Sequence, residues 1–236
     1  MALTGSAHAY LRGNEYTEEE KIGFAFYKLG NIKPNFDSWV EHTDAYSNAP
    51  ANQKNQFLQN ETSRLEQGYH NYQPDEDLIV INAPVKITTA DFSSPDPAYS
   101  KQGIQKQSVI SIVGTPPAYL PFKIVNTWVA VIPQDYSNFT NLLLTTEQFI
   151  KLRDIVSEKV KLKDLDFQGE IELILRPAKV DARKPINMDG KKMWLMGAEI
   201  ASMTIWTQKK EKIIWEYSAP WYVTGHSMQL LNLYGD

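Results

Sequence analysis

The hydrophobic period of this chain changes once, at about Asp77, and that change limits the folds open to it. Before it, apolar residues recur at helical spacing. Ile22, Phe26 and Leu29 stand at i, i+4 and i+7 behind Thr17-Glu18-Glu19-Glu20, a capping box in which the Thr hydroxyl and the third Glu satisfy each other's exposed N–H groups. Gly30 is expected to stop that helix in a left-handed conformation. A second helix is expected through Phe36, Trp39, Val40 and Tyr46, and a third from about Ala51 with Leu58, Thr62, Leu65 and Tyr69 on one face.

Beyond Asp77 the runs are short and rich in Val, Ile, Thr and aromatic residues: 78–81, 85–89, 108–113, 124–132, 167–176, 195–207 and 212–218. Phe167, Gly169, Ile171, Leu173 and Leu175 alternate with Gln168, Glu170, Glu172 and Ile174, the pattern of a strand with one buried and one mostly wet face. Asp189-Gly190 reads as a tight turn. One further helix is expected from Thr145 to about Lys159, with Phe149, Leu152, Val156 and Val160 inward. Helices first, strands later and no βαβ alternation point to an α+β fold: short N-terminal helices packed on a largely antiparallel sheet. Residues 1–14 read as a leader and 15–236 as a single domain, helical over 15–72 and β-rich over 77–236. Tyr72–Glu76 and Phe92–Gln107 are its candidate linkers.

Composition narrows the chemistry. With 236 residues, 42% of them hydrophobic, the chain is long and apolar enough for a core without staples. The absence of cysteine excludes disulfides, iron–sulfur clusters, thiolate zinc sites and thiol nucleophiles. The net charge of −4 is uneven: residues 1–100 carry 7 Lys and Arg against 14 Asp and Glu, residues 101–236 carry 17 against 14. The basic excess gathers at Arg176, Lys179, Arg183, Lys184, Lys191 and Lys192, interrupted by Asp181 and Asp189, where a solvated hairpin tip and an anion-binding patch are both readings. An isoelectric point near 5.6 disfavours nucleic acid as partner. No charge-free stretch is long enough for a transmembrane helix. Ala7-His8-Ala9 has the small-x-small pattern that signal peptidase cleaves, so a mature start near Tyr10 and a periplasmic or secreted location are expected.

Phosphate-cradling glycine motifs, the nucleophile elbow and the zinc-helix motif are missing, and no cofactor or metal is expected. Of four histidines, His8 lies in the leader and His42 and His70 on separate helical segments, while His226 beside Ser227 is the best acid–base candidate. Glu170 and Glu172 share a strand face at roughly 6–7 Å, between the spacings of retaining and inverting glycosidases. A glycan-active hydrolase is therefore one reading, though alternating Glu is also what any half-exposed strand shows. Asp75-Glu76-Asp77 and Asn187-x-Asp189-Gly190 lack the spaced oxygens of a calcium loop. Asn60-Glu61-Thr62 and Asn138-Phe139-Thr140 fit the glycosylation sequon.

The composition's mild excess is aromatic, 11%, densest at Trp215, Tyr217, Trp221 and Tyr222, with Trp194 and Trp206 upstream. Rigid amphipathic rings offer contact area at low entropy cost, so these four form the candidate partner-binding group. Alternation of Ile213, Trp215 and Tyr217 with Ile214, Glu216 and Ser218 equally suits a core-facing strand. The reading carried forward is a non-enzymatic, exported protein that binds another macromolecule or assembles with copies of itself, as in a bacterial envelope assembly. A non-catalytic glycan-binding domain shares the same aromatic patch.

Overall fold

A computed structural model describes residues 16–92, 107–113, 119–144 and 167–223. The leader, the helix expected from Thr145 to Lys159, most of the Phe92–Gln107 linker and His226 lie outside the described residues. The fold is α+β, with helices preceding a mostly antiparallel sheet.

Helix α1 (Glu18–Leu29) begins with the expected capping box: the Glu20 N–H donates to Thr17 Oγ1 at 3.1 Å, and the Thr17 N–H donates to Glu20 Oε2 at 2.8 Å. Its stop differs from expectation. Gly30 keeps right-handed dihedrals, and the left-handed residue is Asn31, φ 50°. Gly30 is needed for space instead, because a Cβ there would stand 2.8 Å from the Phe26 carbonyl oxygen.

The second expected helix is two: α2 (Phe36–Glu41) and α3 (Asp44–Asn48). Thr43 divides them, donating its hydroxyl to the Val40 carbonyl (2.8 Å) while accepting the Tyr46 N–H (3.2 Å) as cap of the next helix. Helix α4 (Lys54–Asn71) buries only Leu65 and Gly68. It is tied to α1 by polar contacts, with Arg64 Nη2 2.5 Å from Glu20 Oε1 and Lys28 Nζ donating to the His70 and Tyr72 carbonyls.

Eight strands form one sheet among the described residues: β1 (Ile79–Phe92), β2 (Gln107–Val113), β3 (Leu120–Ile124), β4 (Thr127–Pro133), β5 (Asn141–Leu144), β6 (Phe167–Met188), β7 (Lys191–Thr207) and β8 (Ile213–Ser218). Their spatial order is β3-β4-β7-β6-β1-β2-β5. Long β7 pairs with β6 on one edge; its other edge is shared by β4, parallel along 193–198, and β8, antiparallel along 202–206. The helical layer covers one face, here the inner face, where Ile79, Ile81, Ile171, Leu173, Leu175 and Met203 are buried against Ile22, Phe24 and Phe26. The alternation in β6 is as expected: Gly169, Ile171, Leu173 and Leu175 are buried, and Gln168, Glu170, Glu172 and Ile174 are not. Burying a Leu or Ile here contributes about 1.5–3 kcal/mol each.

β1 runs unbroken through Pro84, where two strands were expected. The Val80 N–H points away from β6 and is taken by Glu18 Oε2 at 2.7 Å; Pro84 has the same parity, and β2 pairs only from Lys86 onward. The missing N–H of Pro84 thus falls on a side of β1 that has no ladder partner among the described residues. The expected 124–132 strand is instead a hairpin, β3 to β4, turned at Val125 with φ 57°. Its side chain packs on the core, which compensates a conformation that β-branched residues rarely adopt. Asp189 and Gly190, φ 50° and 75°, make the expected tight turn between β6 and β7, of type I′.

Tyr136, in a short 3-10 turn (Tyr136–Phe139) after β4, is buried and its hydroxyl finds no hydrogen-bond partner among the described residues. Burial pushes its pKa up to about 12. Because an unpaired buried hydroxyl costs about 1–3 kcal/mol, Tyr136→Phe is expected to leave stability unchanged or to raise it by about 1 kcal/mol in urea unfolding. A loss above about 1 kcal/mol would mean the hydroxyl is bonded in solution.

Candidate functional site on the outer face of the sheet

The face opposite the helices is built by paired residues of β6 and β7. Glu172 lies opposite Thr204, Arg176 opposite Glu199, Lys179 opposite Gly197 and Asp181 opposite Leu195. Arg176 pairs with Glu199, its Nε 3.1 Å from Oε2 and its Nη2 closing the second contact. The Trp221 ring lies over this guanidinium at 3.9 Å.

β6 does not hold its register. The ladder slips at three places, most strongly between Asp181 and Ile186, where Ala182–Pro185 face the single β7 residue Trp194. Strand excursions of this kind re-aim side chains and interrupt pairing. Beside this one lies a cleft of about 930 Å³. Ile132, Leu195 and Gly197 line it from β4 and β7, the stretch from Lys179 to Arg183 from β6, and Gln134 with Asp135 from the end of β4. A Cβ on Gly197 would stand 3.1 Å from Gln134 Nε2 and 3.4 Å from the Lys179 chain, so the glycine lets both side chains close over the strand. Asp135 holds φ 57°, a costly conformation of the kind found at functional sites.

Asp181 is chelated by Arg183, whose Nε and Nη2 lie 2.9 and 2.8 Å from its two oxygens and whose N–H adds a bond of 3.1 Å. Those side-chain bonds, then the backbone bond, hold the carboxyl down to about 2. The pair's contribution is complete above the ordinary carboxylate value of ~4 and is lost as pH falls below it toward 2, the sign for a depressed acid. A carboxyl-carbon NMR titration of Asp181 is expected to have its midpoint near 2; a midpoint near ~4 would show the chelate open in solution.

The four aromatics proposed from sequence do not form one platform. Trp215 is opposite Ile205 and Tyr217 opposite Met203, which puts both on the inner face. Their rings stack at 6.5 Å and 9°, half-buried, with Phe139 4.8 Å from the Tyr217 ring. The chain then bonds Ala219 N–H to the Ala201 carbonyl and enters a helical turn at Pro220, which carries Trp221 across to the outer face. Trp221 is 37% exposed, and Tyr222 packs edge-on against it at 6.0 Å.

The paired carboxylates hold a loop. Glu170 Oε1 accepts the Lys209 N–H at 3.0 Å; Glu172 Oε2 accepts from Lys210 Nζ at 2.6 Å, and that ammonium also donates to Asn82 Oδ1 at 2.5 Å. Lys209 and Lys210 both have positive φ, 67° and 53°, so the two acids stabilise a strained turn between β7 and β8. Among the described residues no three His, Asp or Glu are grouped to hold a metal. His42 joins α2 to the β3–β4 turn through Ser38 O (2.7 Å) and Asn126 Nδ2 (2.8 Å). No described helix is long and apolar enough to cross a membrane.

No family model, curated protein or solved structure matches the chain. Its own geometry is what bears on function. Sequence reasoning missed the cleft, although a signal for it was present: Pro177 and Pro185 in one strand cannot both sit in a regular central ladder.

Proposed function

We propose that this protein is a non-enzymatic, exported binding or assembly module that holds a macromolecular partner on the outer face of its sheet. The observation that carries the reading is the roughly 930 Å³ cleft beside the β6 excursion, with the exposed Trp221 nearby over Arg176, the partner of Glu199 two β7 positions beyond Gly197. A rigid ring backed by a guanidinium supplies contact area with little side-chain entropy to lose. In this reading Trp221 and Tyr222 meet the partner, while Trp215 and Tyr217 support the strand that delivers them. The engagement of Glu170 and Glu172 in the 208–210 turn favours binding over glycoside hydrolysis.

Hydrogen–deuterium exchange on protein isolated with its partner from native extract tests this. Protection is expected at 176–183, 195–199 and 219–223; a footprint confined to the helical layer would overturn it. The same preparation reads the mature N-terminus, expected near Tyr10 if the protein is exported. An uncleaved start would remove that part of the proposal.

A further inference from the structure

We infer that Glu199 is a positioning residue of the outer face: through Arg176 it holds the Trp221 ring in one place, so that a partner meets this anchor already ordered. This rests on the reading of the outer face as the binding surface, and it says what keeps that face ready to bind. Arg176 and Glu199 stand directly opposite each other on β6 and β7. Nε and Nη2 of Arg176 both close on Glu199 Oε2, which limits how the guanidinium can turn. Its central carbon lies 3.9 Å from the centre of the Trp221 ring.

The backbone brings these three residues together. β7 carries an extra residue at Ala201, where the ladder passes from the Leu175–Ile200 pair to the Ile174–Ser202 pair. The Ala201 carbonyl accepts the Ala219 N–H at 2.8 Å, and the helical turn that follows closes with the Tyr222 and Val223 N–H groups on the Ala219 carbonyl. The main chain thus sets where the Trp221 side chain starts, and Arg176 sets where its ring lies. Magnitudes separate this role from stability. With side chains 28% and 39% exposed, Arg176 and Glu199 form a pair of the surface kind that adds little to stability. An unpaired Arg side chain keeps its rotamer freedom, and an interface that must then immobilise it loses affinity.

The test is indole-nitrogen NMR relaxation on the full chain, with the Trp221 signal assigned by its absence from Trp221→Ala. In the parent the Trp221 indole is expected to be as ordered as rigid backbone, with an order parameter of about 0.85. In Glu199→Thr, which keeps a strand-forming residue, it is expected to fall below about 0.6 with the melting temperature unchanged. Arg176→Lys keeps the charge but not the planar fork, and is expected to free the ring as well. Glu172→Gln, which breaks the Lys210 pair on the same face, is expected to leave the ring as in the parent. A ring that stays ordered in Glu199→Thr or in Arg176→Lys, or that Glu172→Gln frees equally, would overturn the inference. So would a Glu199→Thr protein that melts several degrees lower, since Glu199 would then serve the fold instead. With the partner co-purified from native extract, Glu199→Thr is expected to lower retention about threefold or more, and Glu199→Thr combined with Trp221→Ala to retain what Trp221→Ala alone retains. A further loss in the double variant would mean that Glu199 acts independently of the ring, against a positioning role. The NMR arm needs no partner, so it fails separately from the outer-face reading, which stands or falls on retention of the native partner by Trp221→Ala.

Discussion

Gly23→Ala is expected to destabilise the protein by about 1–2 kcal/mol, a large effect for a single methyl group. The added Cβ would stand 2.2 Å from Trp39 Cη2 and 2.9 Å from its Cζ2, with Ile124 Cγ2 at 3.2 Å. Relief would require the indole to move, and it is enclosed: Phe36 stacks on it at 6.1 Å, Tyr27 lies at 5.9 Å and Phe24 at 5.7 Å. Overpacking a filled site costs about 1–3 kcal/mol, occasionally more, and here the displaced group is a rigid ring between helix and sheet. The better helix propensity of alanine returns about 1 kcal/mol, which leaves the balance clearly unfavourable. Gly190→Ala is the comparison: its Cβ meets nothing within 4 Å, and its cost is the positive φ of 75° alone. Urea unfolding of both variants checks the account, and a Gly23→Ala protein as stable as the parent would contradict the packing of α1 on Trp39.

The second large effect separates the aromatic residues by face. Trp215→Ala removes a half-buried ring stacked on Tyr217 and touching Phe139 at the sheet's inner edge, and is expected to cost about 2–3 kcal/mol. Trp221→Ala removes a more exposed ring whose main described contacts are Arg176 and Tyr222, so its cost to stability is expected to stay below about 1 kcal/mol. For partner retention the order reverses: losing an aromatic anchor at the centre of an interface costs about 2 kcal/mol or more, at least tenfold in affinity.

Features set by neighbouring residues were legible in the sequence. The Thr17 capping box, the alternation of β6 and the Asp189-Gly190 turn each depend on contacts a few residues away, and each stands as read. What failed depends on distant partners. Pro84 looks like a strand break until it is known that, among the described residues, nothing pairs with that side of β1. Val125 looks like strand interior until the core that holds its side chain is in place. Gly30 looks like a left-handed cap, but its small size serves Phe26, Ile32 and Val180. The candidate site follows the same rule. Trp215 and Trp221 are six positions apart in the sequence, and a helical turn after Ala219 puts them on opposite faces, which composition does not reveal.

Capture of the native partner by immobilised parent, Trp215→Ala and Trp221→Ala proteins, with thermal melts of all three, tests the central claim most directly. The expected result is that Trp221→Ala melts within about 2–3 °C of the parent yet retains less than about a tenth of the partner at limiting concentration, while Trp215→Ala melts several degrees lower. Undiminished retention by a folded Trp221→Ala protein would contradict the claim that the partner is held on the outer face of the sheet.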